Sequence, residues 1–395
     1  MNELVKLTSD PLDLAEFYAL YLYCFKAQDS PERRAFFNYR YAHSFCYGVK
    51  QEGHVKSGLL SIPLEVNFHG VHYKMNGICD VCTYPEFGGR GAISSLMKAA
   101  LAEMFENGTA LSYLSPFSYE FYRHYGYEQI FEHCHYQVES IHLPKVKADV
   151  DAGCVRRVDF KEAVPLIKEL YDKDSKNHSG GLIRSDWWWE YLTKKRLEWK
   201  TAVYFNKAGI VQGYLVYTTG STFIIQDFYS ENVDSYQHLL KFVCQHQPMF
   251  PYFEYASSVS QAHLDFLKEP EFIKAQTKPY MMARIVNLRE FIVNYPFRRD
   301  FEQISFSVED KILAENNGVW ELFVENGKAG LVKISENADE TADIKFTVQS
   351  LSKSFLGYRS LAILFKMGNI VGNPQAIEKL SESLISETPM IQDYF

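Results

Sequence analysis

Apolar residues recur along this chain in two periods, and the switches between them mark its elements. Ser9-Asp10-Pro11 opens the first: a small polar cap followed by proline predicts a helix start, and the helical pattern runs to about Phe25. A second helical stretch covers 31–43. The alternation then becomes that of strands at 45–50, 56–68 and 71–84, with a turn at His69-Gly70. The run Pro85-Glu86-Phe87-Gly88-Gly89-Arg90-Gly91 interrupts it. Over 92–107 the helical period returns, with Ile93, Leu96, Met97, Ala100 and Met104 on one stripe. A short strand at 110–114, a short helix at 117–124 and an alternating strand at 127–138 complete a first α/β unit.

A Pro-, Lys- and Asp-rich linker spans 143–153. Beyond it come a segment starting at Val155, a helix at 160–171, a Trp-rich helix at 185–193, strands at 210–218 and 222–229 about a Thr219-Gly220-Ser221 turn, and a helix at 233–246. This repeats the strand-turn-helix order of the first unit, so a second copy of one fold is expected. A third segment from Tyr295 carries strand patterns at 303–308, 318–324, 329–334 and 341–347, then helices at 348–355, 356–365 and 373–384. The expected class is α/β (α+β), divided at 1–145, 146–294 and 295–395.

Composition narrows the function. The 395 residues are 47% hydrophobic and 23% charged, enough apolar material for several cores. A net charge of −8 argues against broad nucleic-acid binding, which needs a basic surface. No run approaches the roughly 18 apolar residues of a membrane span, and residues 1–10 carry Glu3, Lys6 and Asp10 with no apolar leader core. The 7 Cys are an odd, scattered set rather than a disulfide framework, which suits a reducing cytoplasm. Cys79 and Cys82 form a C-x-x-C, but no second pair or His cluster completes a metal site. On a regular strand the two would point to opposite faces, so no metal is expected.

The glycine-rich turn is the strongest chemical signal. Gly88, Gly89 and Gly91 let backbone approach a ligand closely. The following helix start offers unpaired N–H groups and positive potential, and Arg90 adds charge. Together these describe a pyrophosphate cradle. No Gly-Lys-Ser/Thr closes the loop, and the preceding strand follows a meander, so neither a P-loop nor a dinucleotide fingerprint fits.

At these residues the chain resembles the GNAT superfamily of N-acetyltransferases. Its coenzyme A loop, Arg/Gln-x-x-Gly-x-Gly/Ala, falls on Gly88 to Ile93, with Gly88 at the Arg/Gln position and Ile93 at the last. The resemblance implies that Gly88, Gly89, Arg90, Gly91 and Ala92 bind the cofactor phosphates, and that backbone at Val81, Cys82 and Thr83 serves the pantetheine arm. Phe121-Tyr122-Arg123-His124-Tyr125-Gly126-Tyr127 looks like the family's Phe-Tyr-x-x-x-Gly-Phe/Tyr motif, which makes Tyr122 the acid near the thioester sulfur. Over its full length the chain resembles the Eis-type (enhanced intracellular survival) acetyltransferases: an active GNAT domain, a degenerate GNAT-like domain and a sterol-carrier-like domain. Asp227 to Val233 holds no glycine where the second copy should carry its loop, and Arg184-Ser185-Asp186-Trp187-Trp188-Trp189 looks like that family's middle-domain helix start.

The resemblance implies further that the carboxylate of Phe395 serves as general base, that acetyl-CoA is the donor, and that the assembly is a hexamer. The expected acceptor is a small cationic amine (polyamine, lysine-like or aminoglycoside), held by Tyr23, Phe25 and Asp393. A longer-chain N-acyltransferase and a non-enzymatic acyl-CoA or lipid-binding module are the alternatives.

Overall fold

The computed structural model of the protein describes residues 2–264, 267, 269–338 and 340–395. Its chain divides into two compact units. One comprises the residues up to Phe131 with Tyr280–Pro389 and Asp393–Phe395; the other comprises Glu132–Pro279 with Met390–Gln392.

In the first unit, strands β1 (Asn2–Leu7), β2 (Phe45–Gln51), β3 (His54–Phe68) and β4 (Val71–Thr83) form an antiparallel meander. β4 then pairs in parallel with β5 (Leu111–Leu114), and the strand Met282–Ile285 fits between β5 and β6 (Glu128–Gln129). Helix α1 (Pro11–Cys24) is capped by Asp10, whose carboxylate accepts from Leu12 N at 2.7 Å, and α2 (Pro31–Ala42) by Ser30, whose hydroxyl accepts from Arg33 N at 3.1 Å. Each such cap is worth about 1 kcal/mol. Helix α3 (Ala92–Glu106) buries Leu96, Met97, Ala100, Leu101 and Met104 against Val49, Leu59 and Ile78 of the sheet. Thus the stripe read from the sequence is the face that packs.

Two irregularities of β4 shape the site. Its parallel pairing with β5 ends at Ile78↔Leu114, while β4 continues to Thr83 beside β3 alone. The strands therefore part, leaving one edge of residues 79–83 without a β5 partner. Asp80 is also an extra residue: Cys79 faces Leu60 and Cys82 faces Gly58, and Asp80 takes φ +49°. This bulge corrects the expectation for Cys79 and Cys82. Partners two apart on β3 share a face, so the two thiols do as well. Asp80 is buried in an ion pair with Arg40 of α2, which ties that helix to the bulge.

In the second unit, seven strands run in the order Ile273–Pro279, β7 (Glu132–Glu139), Tyr252–Ser257, Phe223–Ser230, Val211–Thr219, Lys200–Asn206, Gly153–Asp159. Among its described residues only the pair Phe223–Ser230 and Tyr252–Ser257 is parallel, for three residues ending at Ile225↔Tyr255. The single strand expected over 127–138 is two, β6 in the first sheet and β7 in this one.

The third sheet belongs to the first unit, with the order Lys328–Ser335, Gly318–Glu325, Phe301–Glu309, Ile344–Thr347, Val371–Gly372. It is locked to the first sheet by Arg284, fully buried, whose guanidinium meets Asp310 and the Tyr125 carbonyl. The helix expected over 356–365 begins only at Leu361, because Gly357 adopts φ +79° and ends the preceding helix Val348–Phe355. No helix among the described residues is long and apolar enough to cross a membrane.

Candidate active site

The glycine turn leads straight into α3. Gly89 and Gly91 both hold positive φ, +72° and +75°, where any side chain would be strained. Gly91 is the N-cap of α3, and no side chain caps the helix. Its first-turn N–H groups are thus left for a ligand, at the positive end of a 15-residue helix. The corresponding helix of the second unit, Val233–Cys244, is capped: Asn232 and Ser235 form a capping box that consumes the N–H groups of Asn232 and Ser235. The uncapped helix start fits an anionic phosphate group better than the side-chain-capped one. Arg90 is exposed, with its guanidinium 3.3 Å from the Glu86 carbonyl and 5.1 Å from the Phe87 ring centroid. Gly88 N–H donates to Pro85 O at 3.0 Å, and Ala92 is buried beneath the turn.

Above the turn, Val81 and Thr83 are half-buried and Cys82 is buried, on the stretch of β4 that has left β5. A single free strand edge offers alternating N–H and C=O groups, which suits an amide-bearing arm such as pantetheine. The Thr83 hydroxyl is 2.6 Å from Ser57 Oγ, and its carbonyl accepts from Cys24 Sγ at 3.3 Å. A hydrogen bond with Cys82 lowers the Cys24 thiol to about 7 against the effect of burial, and burial pushes the Cys82 thiol well up.

Tyr122 sits on the short helix α4 (Tyr119–Arg123), which is capped by Ser118. Its ring is buried among Phe117, Phe121 and Tyr127. Burial raises the phenol well above its ordinary value, so it is protonated at neutral pH. Its hydroxyl has no hydrogen-bond partner among the described residues. The chain end belongs to the same unit. Phe395 is buried, and its ring lies so close to Gly77 of β4 that a Cβ there would come within 2.6 Å of it. Gly77 pairs with Tyr113 one step before the strands part. Asp393 is buried, and its carbonyl accepts from Tyr280 Oη at 3.0 Å.

Tyr23 and Phe25, at the end of α1, are 59% and 50% exposed, so neither is a core residue. Tyr23 lies 5.4 Å from the Tyr84 ring, just past β4, and Phe25 lies 5.2 Å from Tyr21. Sequence reasoning passed over Gly77, Tyr113 and Tyr280. Tyr113 is fully buried with an unsatisfied hydroxyl, a polar group beside the seat of Phe395. A glycine inside a strand signals a close approach, and that was the available cue for Gly77. The described residues hold no cluster of three potential metal ligands.

Comparison with known proteins finds three matching domain models. Acetyltransferase (GNAT) domain models match residues 7–130 and 180–285, and a sterol carrier protein domain model matches 288–392. A conserved protein of unknown function from Enterococcus faecalis, described as a probable N-acyltransferase, is 32% identical, with 100% of both chains covered and a TM-score of 0.94. A GCN5-related N-acetyltransferase from Anabaena variabilis is 22% identical, with 100% of both chains covered and a TM-score of 0.84. Eis1 from Mycobacterium abscessus shares the fold at 15% identity and a TM-score of 0.79, with 100% of both chains covered. No curated protein matches the chain. With both GNAT folds, the sterol carrier domain and a full-length relative in agreement, the chain belongs to the GNAT family of acyl-CoA-dependent N-acetyltransferases, in the three-part form that Eis proteins share.

Proposed function

We propose that this enzyme moves the acetyl group of acetyl-CoA onto primary amines of cationic acceptors, polyamine, lysine-like or aminoglycoside in class, by direct attack with both substrates bound. The observation that carries the reading is the seat of Phe395. Its ring packs on Gly77 next to the parting of β4 and β5, in the unit that also holds Tyr122 and the glycine turn.

An alkylamine with a pKa near ~10.4 arrives protonated at neutral pH. The Phe395 carboxylate holds it by charge-assisted hydrogen bonds and takes its proton, directly or through a water. Tyr122, kept protonated by burial, supplies a hydrogen bond and then a proton as charge builds on the leaving sulfur. Gly88, whose own N–H closes the turn on Pro85 O, lets the phosphates approach, backbone N–H groups of Gly89, Arg90, Gly91 and Ala92 take them, and Val81, Cys82 and Thr83 align the arm. Tyr23 and Phe25 offer aromatic faces, and Asp393 a negative charge, to the acceptor's cationic groups. In this reading 1–145 is catalytic, 146–294 is a degenerate copy and 295–395 delivers the chain end. By family resemblance the assembly is a cytoplasmic hexamer, a size that light scattering measures directly.

The test is thiol release from acetyl-CoA and from a series of longer acyl-CoAs, against cationic, neutral and acidic amines. Turnover should favour the acetyl donor and cationic acceptors. Preference for a long acyl chain, or no thiol release with any amine, overturns the reading. One glycine added after Phe395 displaces the carboxylate by about 3.3–3.6 Å and should lower kcat by about 10²-fold or more. An unchanged kcat removes the carboxylate from the mechanism.

A further inference from the structure

Within the first unit the chain end is held at both ends of its last stretch. At the terminus the Phe395 ring rests against Gly77 of β4. Two residues earlier, Tyr280 Oη donates to the Asp393 carbonyl at 3.0 Å. Tyr394, between these holds, is 44% exposed. Both holds are built on one strand frame. Tyr280 stands just before Met282–Ile285, which pairs with β5 from Met282↔Leu114 to Ile285↔Leu111. Tyr280 N donates to Phe131 O at 2.9 Å, and the carbonyl of the next residue, buried Met281, accepts from Ile130 N and Phe131 N at 3.2 and 3.1 Å. The Phe131 ring meets the Tyr113 ring edge-on, with centroids 4.9 Å apart, and Tyr113 is the β5 partner of Gly77. Tyr280 therefore projects from backbone that is hydrogen-bonded into the same sheet as the seat of Phe395, on a side chain with only two torsions.

We infer that Tyr280 is a positioning residue for acetyl transfer: its hydroxyl fixes the Asp393 carbonyl and, together with the Gly77 seat, sets where the terminal carboxylate stands. The inference rests on the role proposed for Phe395. Either hold alone leaves the carboxylate free to wander. The two residues beyond the Asp393 carbonyl span about 7 Å when extended, and a ring resting on a glycine can still slide and pivot. Reaction geometry tolerates only ~1 Å. Two holds on one sheet fix both ends of that short stretch, so the hydroxyl of Tyr280 reaches the reaction through the carboxylate it helps to place.

The experiment uses the full chain with Tyr280→Phe, which removes one oxygen and keeps the ring, with the glycine extension after Phe395, and with both changes together. Release of Phe395 by carboxypeptidase reads the hold without reference to catalysis. Tyr280→Phe should lose Phe395 about 3- to 10-fold faster than the parent, and its kcat should fall by about the same factor, the weight of one hydrogen bond. Coenzyme A binding should be unchanged. In the double variant kcat should be no lower than with the extension alone, because the carboxylate that the hydroxyl serves has already been displaced. A merely structural role would lower the melting temperature and make the two losses multiply. Unchanged carboxypeptidase release overturns the hold. Faster release with a parental kcat, or losses that multiply in the double variant, overturns the positioning role. If the extension lowers kcat while Tyr280→Phe does not, the carboxylate reading stands and this inference fails. If the extension leaves kcat unchanged, the carboxylate reading fails and takes this inference with it.

Discussion

Gly77 is where the catalytic reading is most exposed to a single methyl group. A Cβ built at this position lies 2.6 Å from Cδ2 and Cε2 of Phe395 and 3.1 Å from Cζ. Ordinary contact begins at 3.4 Å, so the ring must retreat by 3.4 − 2.6 = 0.8 Å or more in Gly77→Ala. The strand has no reason to yield instead. Gly77 is held on both sides, by Ile62 of β3 and Tyr113 of β5, and a strand accepts alanine at least as readily as glycine. The last residue of the chain is the softer partner. Its carboxylate moves with the ring, and a shift of ~1 Å is the scale on which about 10²-fold of rate is lost. We therefore expect Gly77→Ala to retain its melting temperature within a few degrees and its coenzyme A affinity. Its kcat for amine acetylation, followed by thiol release at saturating donor, should fall about 10- to 100-fold. A crystal structure of the variant with Phe395 displaced and a kcat within twofold of the parent would refute the argument, since the chain end would then have moved without consequence.

Arg90→Glu should weaken coenzyme A binding by about 1–3 kcal/mol if the guanidinium meets a phosphate; unchanged titration calorimetry removes it from the site. Tyr122→Phe should lower kcat with little change in donor affinity, because it deletes only a hydroxyl that has no hydrogen-bond partner among the described residues; a parental kcat would show that the sulfur leaves without it. Iodoacetamide should modify Cys24 with a rate that rises through about pH 7, since its hydrogen bond with Cys82 favours the thiolate, while buried Cys82 stays inert. The folded value lies below the ordinary one, so this bond adds stability that is full at high pH and fades as pH falls through about 7. A midpoint near 8.5, the ordinary thiol value, would remove the interaction.

Local signals were read correctly where local physics decides. Ser9-Asp10-Pro11 and the stripe of α3 announce their helices because caps and periodicity act within a few residues. The glycine turn was legible for the same reason. Where the deciding partner is distant in sequence, the pattern was silent or misleading. Met282–Ile285 is four residues with an arginine among them, and nothing nearby indicates that Asp310 will neutralise Arg284 inside a core. The bulge at Asp80 reverses the facing of Cys82, and it depends on the buried partner Arg40 supplied by α2. Residues 127–138 alternate evenly, yet they serve two sheets, because β6 and β7 find different partners. In the candidate site the loop and Tyr122 carried motifs, whereas Tyr113 is one aromatic among many until its strand is seen beside the seat of Phe395.

The placement of Met282–Ile285 between β5 and β6 also sets a timetable for synthesis. The strand that completes this sheet follows β5 by 282 − 114 = 168 residues. At about 5–20 residues per second the ribosome needs roughly 8–34 s to deliver it. Throughout that interval β5, buried in the finished protein, has one hydrogen-bonding edge uncovered. The nascent chain spends that time as a ready partner for any other exposed strand. Yield of active protein should therefore respond to elongation rate and chaperone supply more strongly than its final stability suggests.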